Sequence, residues 1–113
     1  MSEQRRKLAQ VPQVLTVDGL RLNLETQELQ NGHGVVHLTP MECHLLATFM
    51  RHPNQVLSHK FIMREVWETD YTGDMRTLQV HVCWLRRKIE RNPRQPTRLR
   101  TVRGVGYRFS AQL

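Results

Sequence analysis

The residues with the clearest capacity for chemistry in this chain are arginines, and they are concentrated in its last third. Residues 1 to 75 contain seven Lys or Arg and nine Asp or Glu, whereas residues 76 to 113 contain ten Lys or Arg and one acid, Glu90. The net charge of +7 therefore comes entirely from the last third. Guanidinium groups bind phosphates and pair bidentately with the edge of guanine. The distribution predicts that one end of the protein contacts a polyanion.

The segment that follows Asp74 predicts a helix whose outer face is basic. With about 100° of rotation per residue, the apolar residues of this helix fall on one side and would face the core. They are Leu78, Val82, Leu85 and Ile89. The opposite side and its flanks carry Arg76, Thr77, Val80, Cys83, Trp84, Arg86, Arg87, Lys88 and Arg91. Arginines there could pair with guanine, and Val80 could contact a thymine methyl group, although an ordinary solvated face is the alternative.

Trp84 favours an interface on this face, because an indole opposite the core side would otherwise be exposed without a partner. Packing against the hairpin or a neighbouring loop is the alternative. His81 is a candidate phosphate or base contact, and Cys83 is interpreted as a small side chain that fits. No residue near Cys83 completes a metal-ligand spacing, so we expect no metal and no cofactor. The sequence also has no nucleophile with a base, no paired carboxylates and no phosphate loop, so no enzyme is predicted.

A second basic element lies near the C-terminus. Residues 99 to 102 and 107 to 110 predict strands on either side of Arg103-Gly104-Val105-Gly106, whose glycines are expected to adopt positive φ angles. The arginines on or near this hairpin are Arg98, Arg100, Arg103 and Arg108. Arg103 at the tip could enter a narrow, A·T-rich minor groove while the helix occupies the adjacent major groove. A basic turn that only keeps the protein in solution is the alternative.

The elements that must position these residues begin with short strands. Residues 14 to 38 form alternating runs separated by Asp18-Gly19 and Asn31-Gly32, which predicts an antiparallel meander. A helix follows, because Thr39-Pro40-Met41-Glu42 combines an N-cap, a helix-initial proline and a capping-box acid. This helix should end near Arg51, before Pro53.

Two more helices are expected. Ser58 can cap the second, which runs to about Trp67, with Leu57 and Ile62 packed as a hydrophobic staple. Asp74 can cap the third, and Asn92-Pro93 ends it after about Arg91.

The length of 113 residues suits one domain, assigned to residues 13 to 113, behind a linker or disordered tail at residues 1 to 12. Cys43 and Cys83 lack a CxxC pairing and are expected to be free thiols in a reducing cytoplasm. No apolar run approaches the roughly 20 residues that span a bilayer, and the N-terminus lacks a signal-peptide core. We therefore expect a soluble cytoplasmic protein without membrane contact.

Residues 14 to 110 resemble the effector domain of the OmpR/PhoB family of bacterial response regulators. The resemblance lies in LTPMECHLLATFMRHPNQVLSHKFIMREVW, then RTLQVHVCWLRRKIE, then TVRGVGYRF, in the order and spacing of that family. It implies an α+β fold, the winged helix-turn-helix, with an N-terminal four-stranded antiparallel sheet, three helices and a C-terminal β-hairpin wing. It also implies regulation of transcription in a two-component system.

The resemblance implies contacts with duplex DNA, with a recognition helix at 75 to 91 in the major groove and a wing at 99 to 110 in the minor groove. The matching positions are Arg76, Thr77, Val80, His81 and Arg86 on the helix, Thr101 and Arg103 on the wing, and Trp67 and His59 at the DNA backbone. Arg87 is also assigned to DNA contact, on the basis of its position on the outer face of the helix. Cys83 and Trp84 are also assigned to the DNA-binding face, but they stand where close relatives often carry polar or basic side chains. The preferred DNA sequence is therefore expected to differ.

The resemblance implies further partners. The loop that would contact RNA polymerase comprises Glu68, Thr69, Asp70, Tyr71, Thr72, Gly73 and Asp74, although it could be only a connector. A receiver domain is expected to precede residues 1 to 12 in a longer regulator, and a free-standing protein is the alternative. The chain alone is expected to be a monomer, and two copies are expected head to tail on direct repeats, associated with the nucleoid.

Two other functions remain open at this level. A winged-helix module could instead bind an acidic protein partner through its arginine face, or it could serve as a basic accessory module of an enzyme. Competition with unrelated duplex separates the leading function from the first of these, because a protein-interaction module would bind DNA only weakly and with strong salt sensitivity.

Overall fold

The computed structural model describes residues 13 to 112, and its first sheet is a four-stranded meander. The strands are β1 (Val14–Val17), β2 (Leu20–Asn23), β3 (Glu28–Gln30) and β4 (Val35–His37), each antiparallel to the next. Asp18 and Gly19 join β1 to β2 with φ angles of 49° and 81°, the left-handed pair that a tight hairpin turn requires. The predicted meander is confirmed. The predicted linker, residues 1 to 12, lies outside the described residues.

The helix α1 (Pro40–Arg51) begins with the predicted capping box. Thr39 Oγ1 accepts the Glu42 N–H at 3.2 Å, and Glu42 Oε1 accepts the Thr39 N–H at 2.8 Å. The same carboxylate is buried and accepts a hydrogen bond of 2.7 Å from Lys88 Nζ, which also donates to the His37 carbonyl oxygen at 3.0 Å. Burial acts to raise the pKa of Glu42, but the hydrogen bonds from Lys88 and Thr39 outweigh it and lower that pKa.

The short strand β5 (Val56–Ser58) leads directly into α2 (His59–Trp67). Ser58 Oγ accepts the Phe61 N–H at 3.1 Å, as expected of an N-cap. The helix ends at Glu68, whose φ of 54° is left-handed. Both the start and the end of this helix agree with the sequence prediction.

The third helix, α3 (Arg76–Ile89), is shorter than the predicted 75 to 91. Its N-cap is Met75, which makes no side-chain cap bond, so the prediction that Asp74 is the cap was wrong. Asp74 lies one position earlier, and its Oδ1 accepts the Arg76 N–H at 3.0 Å. The residues of α3 that were predicted to face the core, Leu78, Val82, Leu85 and Ile89, are all buried.

Glu90 ends α3 because its backbone is extended, with φ −93° and ψ 143°. Its carboxylate accepts the backbone N–H of Leu99, the first residue of the next strand, at 2.7 Å, and those of the two preceding residues, Thr97 and Arg98, at 3.1 Å. Arg91 therefore lies beyond the helix, and its predicted position on the helix face was wrong.

The C-terminal hairpin consists of β6 (Leu99–Val102) and β7 (Gly106–Phe109), and β5 pairs with β7 to complete a three-stranded sheet. The second strand thus begins at Gly106 and ends before Ser110, one residue earlier than predicted. Gly104 has the expected positive φ, 78°, but Gly106 does not. Gly106 is needed instead for close approach, because a Cβ there would overlap the Leu57 carbonyl oxygen.

One hydrophobic core joins both sheets to the three helices. Phe49 of α1, Ile62 of α2, Leu85 of α3 and Phe109 of β7 are each fully buried in it. The predicted fold class, an α+β winged helix-turn-helix with an N-terminal sheet and a C-terminal hairpin, is confirmed. Among the helices of residues 13 to 112, none has the length and apolar character needed to cross a bilayer.

We expect Gly106→Ala to lower the free energy of unfolding by about 3 kcal/mol, because β5 and β7 must separate to admit the methyl group. Urea denaturation followed by circular dichroism measures this change. Gly32→Ala is the matched control, since Gly32 has φ 89° but open space around its Cβ position. It should cost only the left-handed strain, about 1 kcal/mol. Equal losses in the two variants would show that close approach at Gly106 is unimportant.

Candidate nucleic-acid interface

The outer face of α3 presents the residues that its helical spacing predicted. Arg76, Thr77, Cys83 and Arg87 are exposed, and Val80 and Trp84 are 41% and 42% exposed despite their size. The apolar residues lie between Arg76, near one end of the helix, and Arg87, near the other. A face of this composition can donate hydrogen bonds to guanine or phosphate and offer apolar surface to a methyl group.

Arg76 forms a forked ion pair with Asp74. Arg76 Nε lies 3.0 Å from Asp74 Oδ1, and Arg76 Nη2 lies 2.7 Å from Asp74 Oδ2. The side-chain hydrogen bond from Arg76, with its backbone N–H, lowers the pKa of Asp74 to about 2. The pair is therefore charged at neutral pH. Because both side chains are exposed, the pair is weak and its guanidinium can exchange partners with an incoming anion.

Arg86 joins α3 to the hairpin. Arg86 Nε donates to the Leu99 carbonyl oxygen and Nη2 to Thr101 Oγ1, each at 2.9 Å. Its guanidinium carbon lies 5.9 Å from the centroid of the Tyr107 ring. Arg86 and Thr101 were assigned to DNA by resemblance, and the structure shows that they bind each other. The sequence held no signal for this contact, because it depends on the register of a distant strand against the helix.

An aromatic array connects the end of α2 with the outer face of α3. The His81 ring lies 5.3 Å from the Trp67 ring and 5.1 Å from the Trp84 ring. His81 Nδ1 donates to the Thr77 carbonyl oxygen at 2.7 Å, which orients the imidazole. Trp67 is partly buried and packs against the core. Trp84 thus has a ring partner on its own helix, His81.

The hairpin tip is exposed beside this helix. Arg103 and Val105 are both exposed there, and Arg100 and Arg108 face each other across the two strands. His59 lies at the base of the tip, where its N–H donates to the Val105 carbonyl oxygen at 3.1 Å and its ring packs 5.9 Å from Tyr107. Arg98, by contrast, is only partly exposed.

A cleft at the C-terminal end of α3 adds a residue that the sequence reasoning missed. It is lined by Cys83, Arg86, Arg87, Asn92, Pro93 and Arg94. Arg94 lies in the turn after the helix, where Asn92 Oδ1 accepts its N–H at 3.1 Å. The basic residue that follows Asn92-Pro93 was the sequence signal that could have identified Arg94 as part of this surface. The cleft extends the basic surface beyond the helix.

The residues from 13 to 112 include no cluster of His, Cys, Asp or Glu that could hold a metal ion. Cys43 is a buried free thiol whose pKa is raised by burial, and Cys83 is an exposed free thiol.

The loop from Glu68 to Asp74 lies between α2 and α3 and is mostly exposed. Asp70 Oδ1 accepts hydrogen bonds from Arg64 Nε and Nη2 at 2.9 and 2.6 Å, and these lower the pKa of Asp70. Tyr71 is 65% exposed. Its ring lies close to Gly73, where a side chain would collide with it. The loop thus presents acidic groups and one aromatic ring.

The sequence is similar to those of known transcriptional regulatory proteins. The family model described as "Transcriptional regulatory protein, C terminal" matches residues 32–109. The alkaline phosphatase synthesis transcriptional regulatory protein SphR of Synechococcus elongatus is 44% identical over 101 residues, which cover 89% of this chain and 39% of SphR. This chain therefore spans less than half the length of SphR.

Solved structures share the fold. The DNA-binding domain of CpxR from E. coli has a TM-score of 0.74 and 31% identity, and the match covers 87% of this chain and 96% of that domain. The RstA DNA-binding domain of Klebsiella pneumoniae, solved in complex with the RstA box, has a TM-score of 0.77 and 23% identity. That match covers 88% of this chain and 98% of the RstA domain.

We expect Arg86→Lys to loosen the hairpin, because an ammonium group cannot donate to Leu99 and Thr101 in the same forked geometry. The free energy of unfolding should fall by about 1 to 2 kcal/mol, and amide hydrogen exchange should accelerate in β6. Arg87→Lys, the same change at an exposed neighbour, should alter neither. Unchanged exchange in β6 of Arg86→Lys would contradict the joining role.

Proposed function

This chain belongs to the OmpR/PhoB-type family of transcriptional regulatory protein C-terminal domains, and we propose that it binds a specific sequence of double-stranded DNA. The family is one of transcriptional regulators and not of enzymes. The observation that carries the proposal is the exposed face of α3, where arginines surround an apolar centre, beside a hairpin with an arginine at its tip. The RstA domain solved with its box shares the fold and lends support.

In this proposal α3 enters the major groove with its outer face toward the bases. Arg76 at the first turn reaches a guanine edge, and Thr77 and Arg87 contact phosphates that set the register. The dimensions agree, because an α-helix of this kind fits the major groove of B-form DNA. His59 and Trp67, at the two ends of α2, would contact the DNA backbone.

The hairpin serves as a wing in the adjacent minor groove. Arg86 holds β6 beside α3, and Arg103 follows only two residues after the Thr101 that Arg86 binds. The Arg103 guanidinium would therefore extend from the residue that directly follows β6, a strand that Arg86 holds to the recognition helix. Narrow A·T-rich minor grooves concentrate negative potential and attract arginine.

We further propose that two copies bind direct repeats head to tail, that the chain alone is monomeric, and that a receiver domain accompanies it in a longer regulator. The separation of charge supports a head-to-tail order, because the acidic first part of one copy can lie beside the basic last part of the next. The exposed loop from Glu68 to Asp74 would contact RNA polymerase. Association with the nucleoid follows from DNA binding.

Selection from a pool of random duplexes at moderate salt tests the main proposal. We expect one sequence to be enriched and its binding to survive an excess of unrelated duplex. Enrichment of no sequence, with weak and strongly salt-dependent binding to all DNA, would instead favour a module for an acidic protein partner.

We expect Arg76→Ala to reduce discrimination by about 1 to 3 kcal/mol at a single base position of the selected sequence. The measurement is binding to a set of duplexes that differ at one base pair each. Arg51→Ala removes the same charge from an exposed site on α1 and should leave discrimination unchanged. Equal weakening on every duplex would identify Arg76 as a phosphate contact.

We expect Arg103→Ala to weaken binding selectively on duplexes with A·T-rich flanks, where the wing gains most. Flanks of inosine·C pairs provide a sharp control, because inosine lacks the amino group that guanine places in the minor groove. The variant should lose affinity on A·T and inosine·C flanks and little on G·C flanks. Indifference to flank composition would remove the minor-groove role.

A further inference from the structure

The centre of the α3 outer face is apolar, which is unusual for a surface that is otherwise basic. Val80 and Trp84 lie one helical turn apart and are 41% and 42% exposed, and the exposed Cys83 lies beside them. We call these three residues the apolar patch. Exposing an indole and a valine to water is unfavourable. Their exposure suits a ligand that covers them.

The orientation of the Trp84 side chain is restricted, because a series of ring contacts connects it to the core. Trp67 packs against the core and contacts the His81 ring, and His81 contacts Trp84 at 5.1 Å with an interplanar angle of 59°. The 2.7 Å hydrogen bond from His81 Nδ1 to the Thr77 carbonyl oxygen fixes the middle ring. The indole is therefore oriented before any ligand arrives, which reduces the entropy lost on binding.

We propose that the apolar patch recognises the 5-methyl groups of thymines in the major groove, with Trp84 as a specificity-determining residue and His81 as its positioning residue. This inference rests on the proposed function, duplex DNA binding through α3. In the major groove, thymine presents a methyl group beside the O4 acceptor. An indole offers the matching pair, an apolar edge and one N–H donor.

The flanking charges favour DNA over a protein as the occupant. Arg76 lies near one end of the patch and Arg87 near the other, and the basic cleft with Arg94 continues past the end of the helix. A phosphate backbone on each side of a groove matches this arrangement of two basic flanks and an apolar centre. An apolar protein partner would not require basic groups on both flanks.

The test begins from the duplex selected by wild-type protein and replaces each thymine in turn by deoxyuridine, which lacks only the methyl group. We expect an approximately fourfold loss of affinity at one or two positions, the value of one buried methyl group. Thymines outside the bound region serve as internal controls. In Trp84→Ala, duplexes with thymine and deoxyuridine at those positions should bind equally.

Two further readouts isolate the patch. The slope of log K against log salt should be unchanged in Trp84→Ala, because no phosphate contact is removed, whereas Arg87→Ala should reduce it. Trp84→Phe keeps the apolar edge and should retain part of the thymine preference. Val35→Ala, which trims an exposed valine on β4, is the control for Val80→Ala and should not affect the preference. Circular dichroism confirms that each variant is folded.

The role of His81 is tested by two variants. His81→Ala should lower the ratio of thymine to deoxyuridine affinity without changing the salt slope, because Trp84 loses its supporting ring. His81→Phe restores a ring at that position and should recover most of the ratio. If both variants behave alike, His81 does not position Trp84.

Two results would overturn the inference. Deoxyuridine without effect at every position would show that methyl groups are not read. A deoxyuridine effect of full size in Trp84→Ala would show that Trp84 does not determine specificity, and one of full size in Val80→Ala as well would assign the effect to the shape of the DNA instead of the patch. In both cases a sequence is still selected, so duplex recognition survives. Failure to select any sequence overturns the proposed function and this inference together.

Discussion

The carboxylate of Glu90 joins the end of α3 to the segment that begins the C-terminal hairpin. It accepts backbone N–H groups from Thr97, Arg98 and Leu99, so that the start of β6 and the two residues before it are held to the residue that follows α3. Hydrogen bonds to a charged acceptor each contribute about 1.5 to 3 kcal/mol. Glu90 is also the single acid among residues 76 to 113. Helix and hairpin are thereby fixed as one surface.

The basic residues of α3 have different uses, and the net charge of the segment conceals this. Lys88 turns inward to Glu42 and the His37 carbonyl oxygen, which ties α3 to the start of α1. Arg86 turns toward β6. Arg76 pairs with the exposed Asp74 and Arg87 is itself exposed, so the proposed function assigns these two arginines to DNA. Two of the four basic side chains on this helix, Arg86 and Lys88, therefore orient neighbouring elements, and their removal would disturb the surface that the proposed function requires.

Much of the fold could be predicted from the sequence, because its signals are local. The capping box at Thr39 and the left-handed turn at Asp18-Gly19 each depend on a few neighbouring residues. The outer face of α3 followed from helical periodicity alone. The hydrogen bonds of Arg86 and Glu90 could not be predicted, because they join segments whose relative position is set only by the packed core. Gly106 was misinterpreted for the same reason, since its neighbour Leu57 belongs to another strand.

The ion pair between Asp74 and Arg76 affects selectivity as well as orientation. A guanidinium that already has a carboxylate partner must exchange it to bind DNA, and Asp74 is fully charged at neutral pH because its pKa is about 2. When a single phosphate takes the place of Asp74, Arg76 exchanges one anionic partner for another, and the binding free energy changes little. On the specific DNA sequence, Arg76 can instead form two parallel hydrogen bonds with a guanine edge while the other contacts of the helix are also made. On a mismatched sequence a phosphate cannot offer this combination. Within the proposed function, the acid beside Arg76 therefore penalises non-specific binding more than specific binding, and it turns a strongly basic helix into a more selective one.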